Sequence, residues 1–338
     1  MATRDELTLL VDKAPGLQTL LPTQPTLFSR CLHVVGWDRM PPRMQGIALV
    51  AASAFTFSWL SVLIKYASYS MTSMETVFWR SVVAWLLNLV AIRSQGVSLI
   101  VPREFWTPLA TRCLVGSCSM AVGFYAMQQM VLADASVLIF MSPMITFFLG
   151  ALFLGEHIDA GNLGCALFSF VGVICVSRPT FIFGESDATA GTDPSFFAVC
   201  CALLGATGQA IVYVCMRRLK GLHFMATINY FLLTSTLFSA FSLAFIQQTF
   251  VIHMPLSVWL AVLGTGVFGF LGQLFMTRGF QLENAGTASV MRYLDVVFVF
   301  IWDLTLLHER ISAWSVLGAV IICSSAIAIA IRRMNHHH

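Results

Sequence analysis

From Gln45 onward, apolar runs of about 18–22 residues alternate with short polar breaks. An α-helix rises about 1.5 Å per residue, so each run is long enough to cross roughly 30 Å of hydrocarbon. Ten runs are legible: 45–66, 76–93, 108–130, 135–154, 160–177, 195–216, 225–246, 256–279, 286–307 and 312–331. Lipid offers the backbone no hydrogen bonds, and the runs are too long and too uniformly apolar for barrel strands. The pattern predicts an all-α polytopic membrane protein of ten transmembrane helices.

Composition sharpens this. Of 338 residues, 58% are hydrophobic and 10% are charged, with a mean hydropathy of +0.81. A soluble domain carries about 25% charged residues. Too few charges exist to cover a water-exposed surface, which excludes a soluble enzyme, a nucleic-acid binder and a disordered scaffold. The nine cysteines lack zinc-type spacing, and most lie in apolar runs as small packing residues. No nucleotide-binding glycine loop, Gly-x-Ser-x-Gly elbow or metal-spaced histidine pair stands out. An enzyme, a resident cofactor and a metal are therefore not expected.

Residues 1–42 are polar and proline-containing and read as a disordered cytoplasmic tail. Within it, Asp5-Glu6-Leu7-Thr8-Leu9-Leu10 has the form of an acidic dileucine sorting signal. His336, His337 and His338 read as a tag remnant in a tail over 334–338. The acidic break at 179–194 divides the spans into 43–178 and 195–333, five helices each. Ser136-Val137 precedes Glu156 by 20 residues, and Ser289-Val290 precedes Glu309 by 20. Ile158 and Ala160 likewise match Ile311 and Ala313, all at a constant offset of 153. An odd number of helices per half makes the second half enter the membrane from the other side. That arrangement is an inverted repeat, the usual basis of alternating access.

The positive-inside rule orients the chain. With the N-terminus cytoplasmic, Arg30, Arg39, Arg43, Arg93, Arg103, Arg217, Arg218, Lys220, Arg278, Arg332 and Arg333 fall inside. The other side keeps Arg178 and Arg310 among Glu75, Asp134, Glu185, Asp187 and Asp193. Both termini are expected to be cytoplasmic, in the plasma membrane or an endomembrane.

Two segments, Arg112–Glu156 and Gly266–Asp303, resemble the EamA group of the drug/metabolite transporter superfamily, and within it the G-type subfamily of solute carrier family 35. The pattern LADAS…SP…GE carries much of the likeness, and weaker similarity covers 45–333. The resemblance implies two five-helix repeats around a central cavity. It also implies a secondary transporter of organic anions, with citrate-like di- and tricarboxylates foremost. A nucleotide sugar or phosphate ester on the same scaffold is the alternative, and a non-transporting membrane receptor or assembly partner a second. The expected partners are a small anionic metabolite and lipid, with no nucleic acid, in a monomer or homodimer.

The charges inside the spans give an independent reading. An Arg, Lys or Asp at mid-helix costs roughly 2.5–3.5 kcal/mol on insertion scales, so each needs a partner or a purpose. Lys65, Arg80, Arg112, Arg278 and Arg292 face only two acids, Asp295 and Asp303. The surplus cation suits an anionic solute, and the resemblance matches basic residues at the same five positions. Arg80, Arg112 and Arg292 are expected to bind it. Lys65 and Arg278 either snorkel or attract it at the two mouths. Tyr125, Gln209 and Gln273 either orient it or bond neighbouring helices. Arg292 and Asp295, at i and i+3, either pair with each other or both face the cavity. Ser289, Arg292, Asp295 and Asp303 fall within an arc of about 120° on one continuous helix, a stripe expected to line the cavity. Asp295 and Asp303 serve either proton coupling or structural pairing. Pro143 is expected to interrupt the fourth helix, and Glu156 and Glu309 to cap helices or sit in solvent.

Overall fold

The computed structural model describes residues 40–67, 70–183, 196–247, 255–306 and 313–335. The tail with its dileucine pattern, the acidic connection at 184–195, Glu309 and the terminal histidines lie outside the described residues. Ten helical spans are long and apolar enough to cross a membrane among those described. They are α1 (Pro42–Ala67), α2 (Ser73–Gln95), α3 (Trp106–Gln129), α4a (Leu132–Ile139) with α4b (Ser142–Leu154), and α5 (Ala160–Ser177). The second half repeats the order with α6 (Phe196–Arg218), α7 (Phe224–Ser242), α8 (Leu256–Leu282), α9a (Ala285–Val290) with α9b (Leu294–Thr305), and α10 (Ala313–Asn335). The face that holds the start of α1 and the end of α10 is called the terminal face below, and its counterpart the opposite face.

Local chemistry sets the helix ends. Thr72 and Glu75 form a capping box at the start of α2, and Gly96, with φ of 62°, ends it in the left-handed region. Gly155, with φ of 63°, ends α4b, and the Glu156 N–H returns to the Gly150 carbonyl across 3.3 Å. This reversal turns the Glu156 side chain inward. A residue with a Cβ at 155 would meet the steric penalty of that conformation.

The fourth and ninth helices are both broken within their spans, and the breaks meet. Pro143 lacks an N–H and sits in the first turn of α4b, so the helix stops at Ile139 and restarts at Ser142. The repeat offset of 153 maps Phe140 onto Tyr293, which ends a single 3-10 turn at Met291–Tyr293. The Tyr293 hydroxyl donates to the freed Phe140 carbonyl at 3.0 Å, with the two rings 6.3 Å apart. The Ser289 hydroxyl donates to the Pro143 carbonyl at 3.3 Å. The two related positions thus touch, which places the pseudo-two-fold axis of the inverted repeat between them. The same offset relates Asp134 to Thr287 and Thr180 to Arg333, and each half holds the equivalent contact: Asp134 accepts from Thr180, and Thr287 accepts from Arg333 at 3.1 Å.

The core lies around this crossing. Val50, Tyr213, Met216, Phe280, Tyr293 and Ile322 are buried together, and Tyr213 stacks on Phe280 with centroids 4.5 Å apart. Helices α1 and α8 approach each other closely near the terminal face. A Cβ on Gly46 would lie 2.9 Å from the Glu283 Cβ and 3.1 Å from the Gly279 carbonyl oxygen. Small residues are what let membrane helices come this near.

Candidate functional site

A cavity of about 220 Å³ opens between α2, α3, α6, α7 and α8, lined among others by Arg80, Arg112, Ser119, Gln209, Phe231 and Gln273. Its lining runs along α3 from Arg112 to Met127, about 22 Å at 1.5 Å per residue. Met127 lies two residues from the α3 end at the opposite face. Toward the terminal face the hollow stops, because Leu109, Cys113, Leu219, Leu222 and Ala226 pack into a buried plug.

Arg112 is fully buried. Its Nη2 donates to the Thr277 hydroxyl at 2.9 Å and to the Gln273 Oε1 at 3.3 Å, and its guanidinium lies 5.3 Å from the centre of the Phe231 ring. The Nε and Nη1 groups have no partner among the described residues. These hold three N–H donors. Arg80 enters from α2 across Gly269, where a Cβ would stand 3.4 Å from the Arg80 Cγ. Its Nη2 approaches the Met120 sulfur at 3.7 Å. Neither arginine has a carboxylate partner among the described residues. Arg80 and Arg112 thus place two guanidinium groups, without carboxylate partners among the described residues, on one cavity.

The structure therefore brings together four of the expected residues, Arg80, Arg112, Gln209 and Gln273. The others stand elsewhere. Tyr125 is exposed and meets Phe197 edge-on at 5.8 Å, outside the cavity lining. Arg278 is exposed, its guanidinium 5.8 Å from the Phe224 ring centre near the terminal face. Lys65 and Asp303 lie 3.9 Å apart at the opposite face, both partly exposed. Arg292 pairs with Asp295 at 3.0 Å, and the guanidinium sits 4.8 Å from the Phe57 ring centre. Of the two uses open to Asp295 and Asp303, pairing is what the geometry displays.

The continuous polar stripe on the ninth helix is corrected. The 3-10 turn at Met291–Tyr293 advances about 120° per residue instead of 100°, so the register of α9a does not carry into α9b. Ser289 is buried against the Pro143 carbonyl, Arg292 and Asp295 close on each other, and Asp303 faces Lys65. Sequence reasoning also missed Thr277, the closest partner of Arg112. Its signal was the i, i+4 spacing from Gln273, which places both on one face of α8.

Three groups outside the spans have shifted proton affinities. Burial raises the carboxyl pKa of Glu156 against the opposing pull of Arg217, and raises that of Glu283 against the Asn284 N–H and Arg333. Burial first, then the charge of Arg278, lowers that of His223. The His223 Nδ1 caps α7 by accepting from the Met225 N–H at 3.3 Å, which requires the neutral ring. A depressed histidine pKa gives stability that is complete above the unfolded value near 6.5 and is lost as pH falls through the folded value. His223 therefore contributes a fall in melting temperature in detergent between pH 7 and pH 5, opposed by the raised carboxyls of Glu156 and Glu283, and His223→Ala is expected to make the change on acidification less destabilising than in the wild type.

Ten spans in an inverted repeat, with a charged hollow closed at one end, define a membrane transporter of small solutes. The EamA-like transporter family model matches residues 44–178 and 196–331, and the chain belongs to that family. It is a secondary transporter and not an enzyme. It is 33% identical over 286 residues to Pseudopaline exporter CntI of Pseudomonas aeruginosa, covering 84% of this chain and 95% of that one. It is 29% identical over 293 residues to Solute carrier family 35 member G1 of Homo sapiens, covering 85% and 79%. A solved crystal structure matches with a TM-score of 0.71 at 17% identity over 85% of this chain and 98% of the other, which shows the shared fold.

Proposed function

We propose that this transporter carries a small organic anion, a di- or tricarboxylate such as citrate, by alternating access. The observation that supports this reading is the pair Arg80, half-buried, and Arg112, fully buried, two cations on one cavity without carboxylate partners among the described residues. A carboxylate accepting from the free Nε and Nη1 donors of Arg112 replaces their missing partners. A second carboxyl of the same solute neutralises Arg80. Gln209 and Gln273 supply neutral hydrogen bonds for orientation. The cavity volume of about 220 Å³ also favours a compact solute. Drug-sized ligands occupy pockets of roughly 300–1,000 Å³.

The distribution of Lys and Arg supports placing both termini in the cytoplasm, with the 43–178 and 195–333 halves exchanging access to the site. The test is uptake of radiolabelled citrate into proteoliposomes containing the purified chain. Saturable uptake that unlabelled di- and tricarboxylates suppress, and nucleotide sugars do not, is the expected result. Uptake suppressed by nucleotide sugars alone would transfer the site to phosphate esters.

A further inference from the structure

The two related halves are not in the same state. At the opposite face the cavity extends along α3 nearly to its end. At the terminal face α1 and α8 are in contact at Gly46, Gly279 and Glu283, and every residue of α9a is buried. The repeat-mate of α9a, α4a, keeps Ile139 on the cavity. A polar lattice stands at the terminal face among the described residues.

Glu156, at the turn after α4b, is the meeting point of that lattice. Its Oε2 accepts from the Ala285 N–H at the start of α9a at 3.0 Å, and its Oε1 accepts from the Arg217 Nε at the end of α6 at 3.2 Å. Arg217 in turn donates to the Gln281 carbonyl at 2.8 Å and to the Asn284 Oδ1 at 3.4 Å. The Gln281 amide donates to the Leu219 and Leu222 carbonyls, both at 3.0 Å, in the loop that helps plug the cavity. A second arm joins Arg333 of α10 to Glu283 at 2.9 Å, and both Arg333 and Asn162 of α5 to Thr287.

Beyond the lattice a second hollow of about 430 Å³ opens among Arg43, Glu156, His157, Asn162, Asn284 and Arg333. No residue lines both hollows. The lattice ties two first-half elements, the α4b turn and α5, to the ends of α6, α8, α9a and α10. We infer that this lattice, centred on Glu156 and Arg217, is the closed terminal-face gate of the transport cycle. Opening that face requires Glu156 to release both Ala285 and Arg217, and the loss of either bond already weakens the hold of the α4b turn on the second half. The larger hollow then joins the Arg80–Arg112 cavity. Glu156 is here a positioning residue that acts on α9a and α6, and it makes no contact with solute.

The gate is independent of solute identity, so its test does not need one. Amide hydrogen exchange is measured on the wild-type chain in lipid nanodiscs and on Glu156→Gln and Arg217→Gln. Each variant is expected to raise deuterium uptake at least two-fold in segments spanning 153–160 and 281–290, with no rise in the α3–α4a segment at the opposite face. Asp159→Asn is the control. Its bridge to Arg332 at 3.1 Å is partly exposed on both sides and outside the lattice, and it should leave the exchange pattern unchanged. Unchanged uptake at 281–290 in both lattice variants would overturn the gate. A uniform rise over all ten spans would also overturn it, because that marks general loosening in place of a local latch.

Discussion

Replacing Arg112 by alanine is expected to abolish solute uptake while leaving the folded protein in the membrane at normal abundance. The side chain is fully buried and its Nε and Nη1 donors are unused. In the empty site these donors meet no protein acceptor among the described residues, and an anion entering the cavity would supply one. Truncating one partner of a buried, hydrogen-bonded charge pair costs about 2–5 kcal/mol, equivalent to roughly 30-fold to several thousand-fold in affinity. The same change does not weaken the fold, because Arg112 has no carboxylate to strand. The Thr277 hydroxyl can bond a carbonyl of its own helix, as Thr234 and Thr236 do at 2.9 Å. Uptake assays and thermal melts on one preparation therefore separate the roles. Lost uptake with an unchanged or higher melting temperature assigns Arg112 to the solute. A lowered melting temperature with residual uptake assigns it to packing. Arg112→Lys keeps the charge but loses the planar donor array, and is expected to recover only a fraction of wild-type uptake.

The opposite balance is expected at Glu283. Its side chain has no exposed surface, and it accepts from Arg333 at 2.9 Å and from the Asn284 N–H at 2.7 Å. Glu283→Ala leaves Arg333, itself largely buried, without its carboxylate. Breaking a buried pair by removing one member costs about 3–5 kcal/mol. Glu283→Ala is accordingly expected to give the larger fall in melting temperature, and Glu283→Gln, which keeps an acceptor, a smaller one. Removing both sides with Glu283→Ala and Arg333→Ala should recover part of the loss, and no recovery in that double variant would show that the pair is not the source of the stability.

These two sites also show which features are readable along a chain. Ten spans are legible because a lipid-facing helix needs about 20 consecutive apolar residues, a constraint that acts on contiguous sequence. The inverted repeat is legible because both halves keep Ser-Val and Glu at the same separation. Arg80 and Arg112 stand out as candidate site residues because a charge at bilayer depth is costly wherever the helix packs. The break at Pro143 is visible for a similar reason, since proline removes a donor in any context.

Other features depend on which helices meet. The i, i+3 spacing leaves Arg292 either on the cavity or paired with Asp295, and the structure pairs it while Arg112 lines the cavity. A 3-10 turn whose Tyr293 bonds the Phe140 carbonyl turns Arg292 away, and no local residue pattern announces that bond. Glu156 reads as an ordinary helix-end carboxylate until Gly155 turns it toward Ala285, 129 residues later in the chain. Sequence by itself determined the membrane, the helix count and the surplus of positive charge, since these follow from the solvation of each segment. Only the tertiary structure decided which cations remain unneutralised and which face is sealed, because pairing and closure are set by distances between helices far apart along the chain.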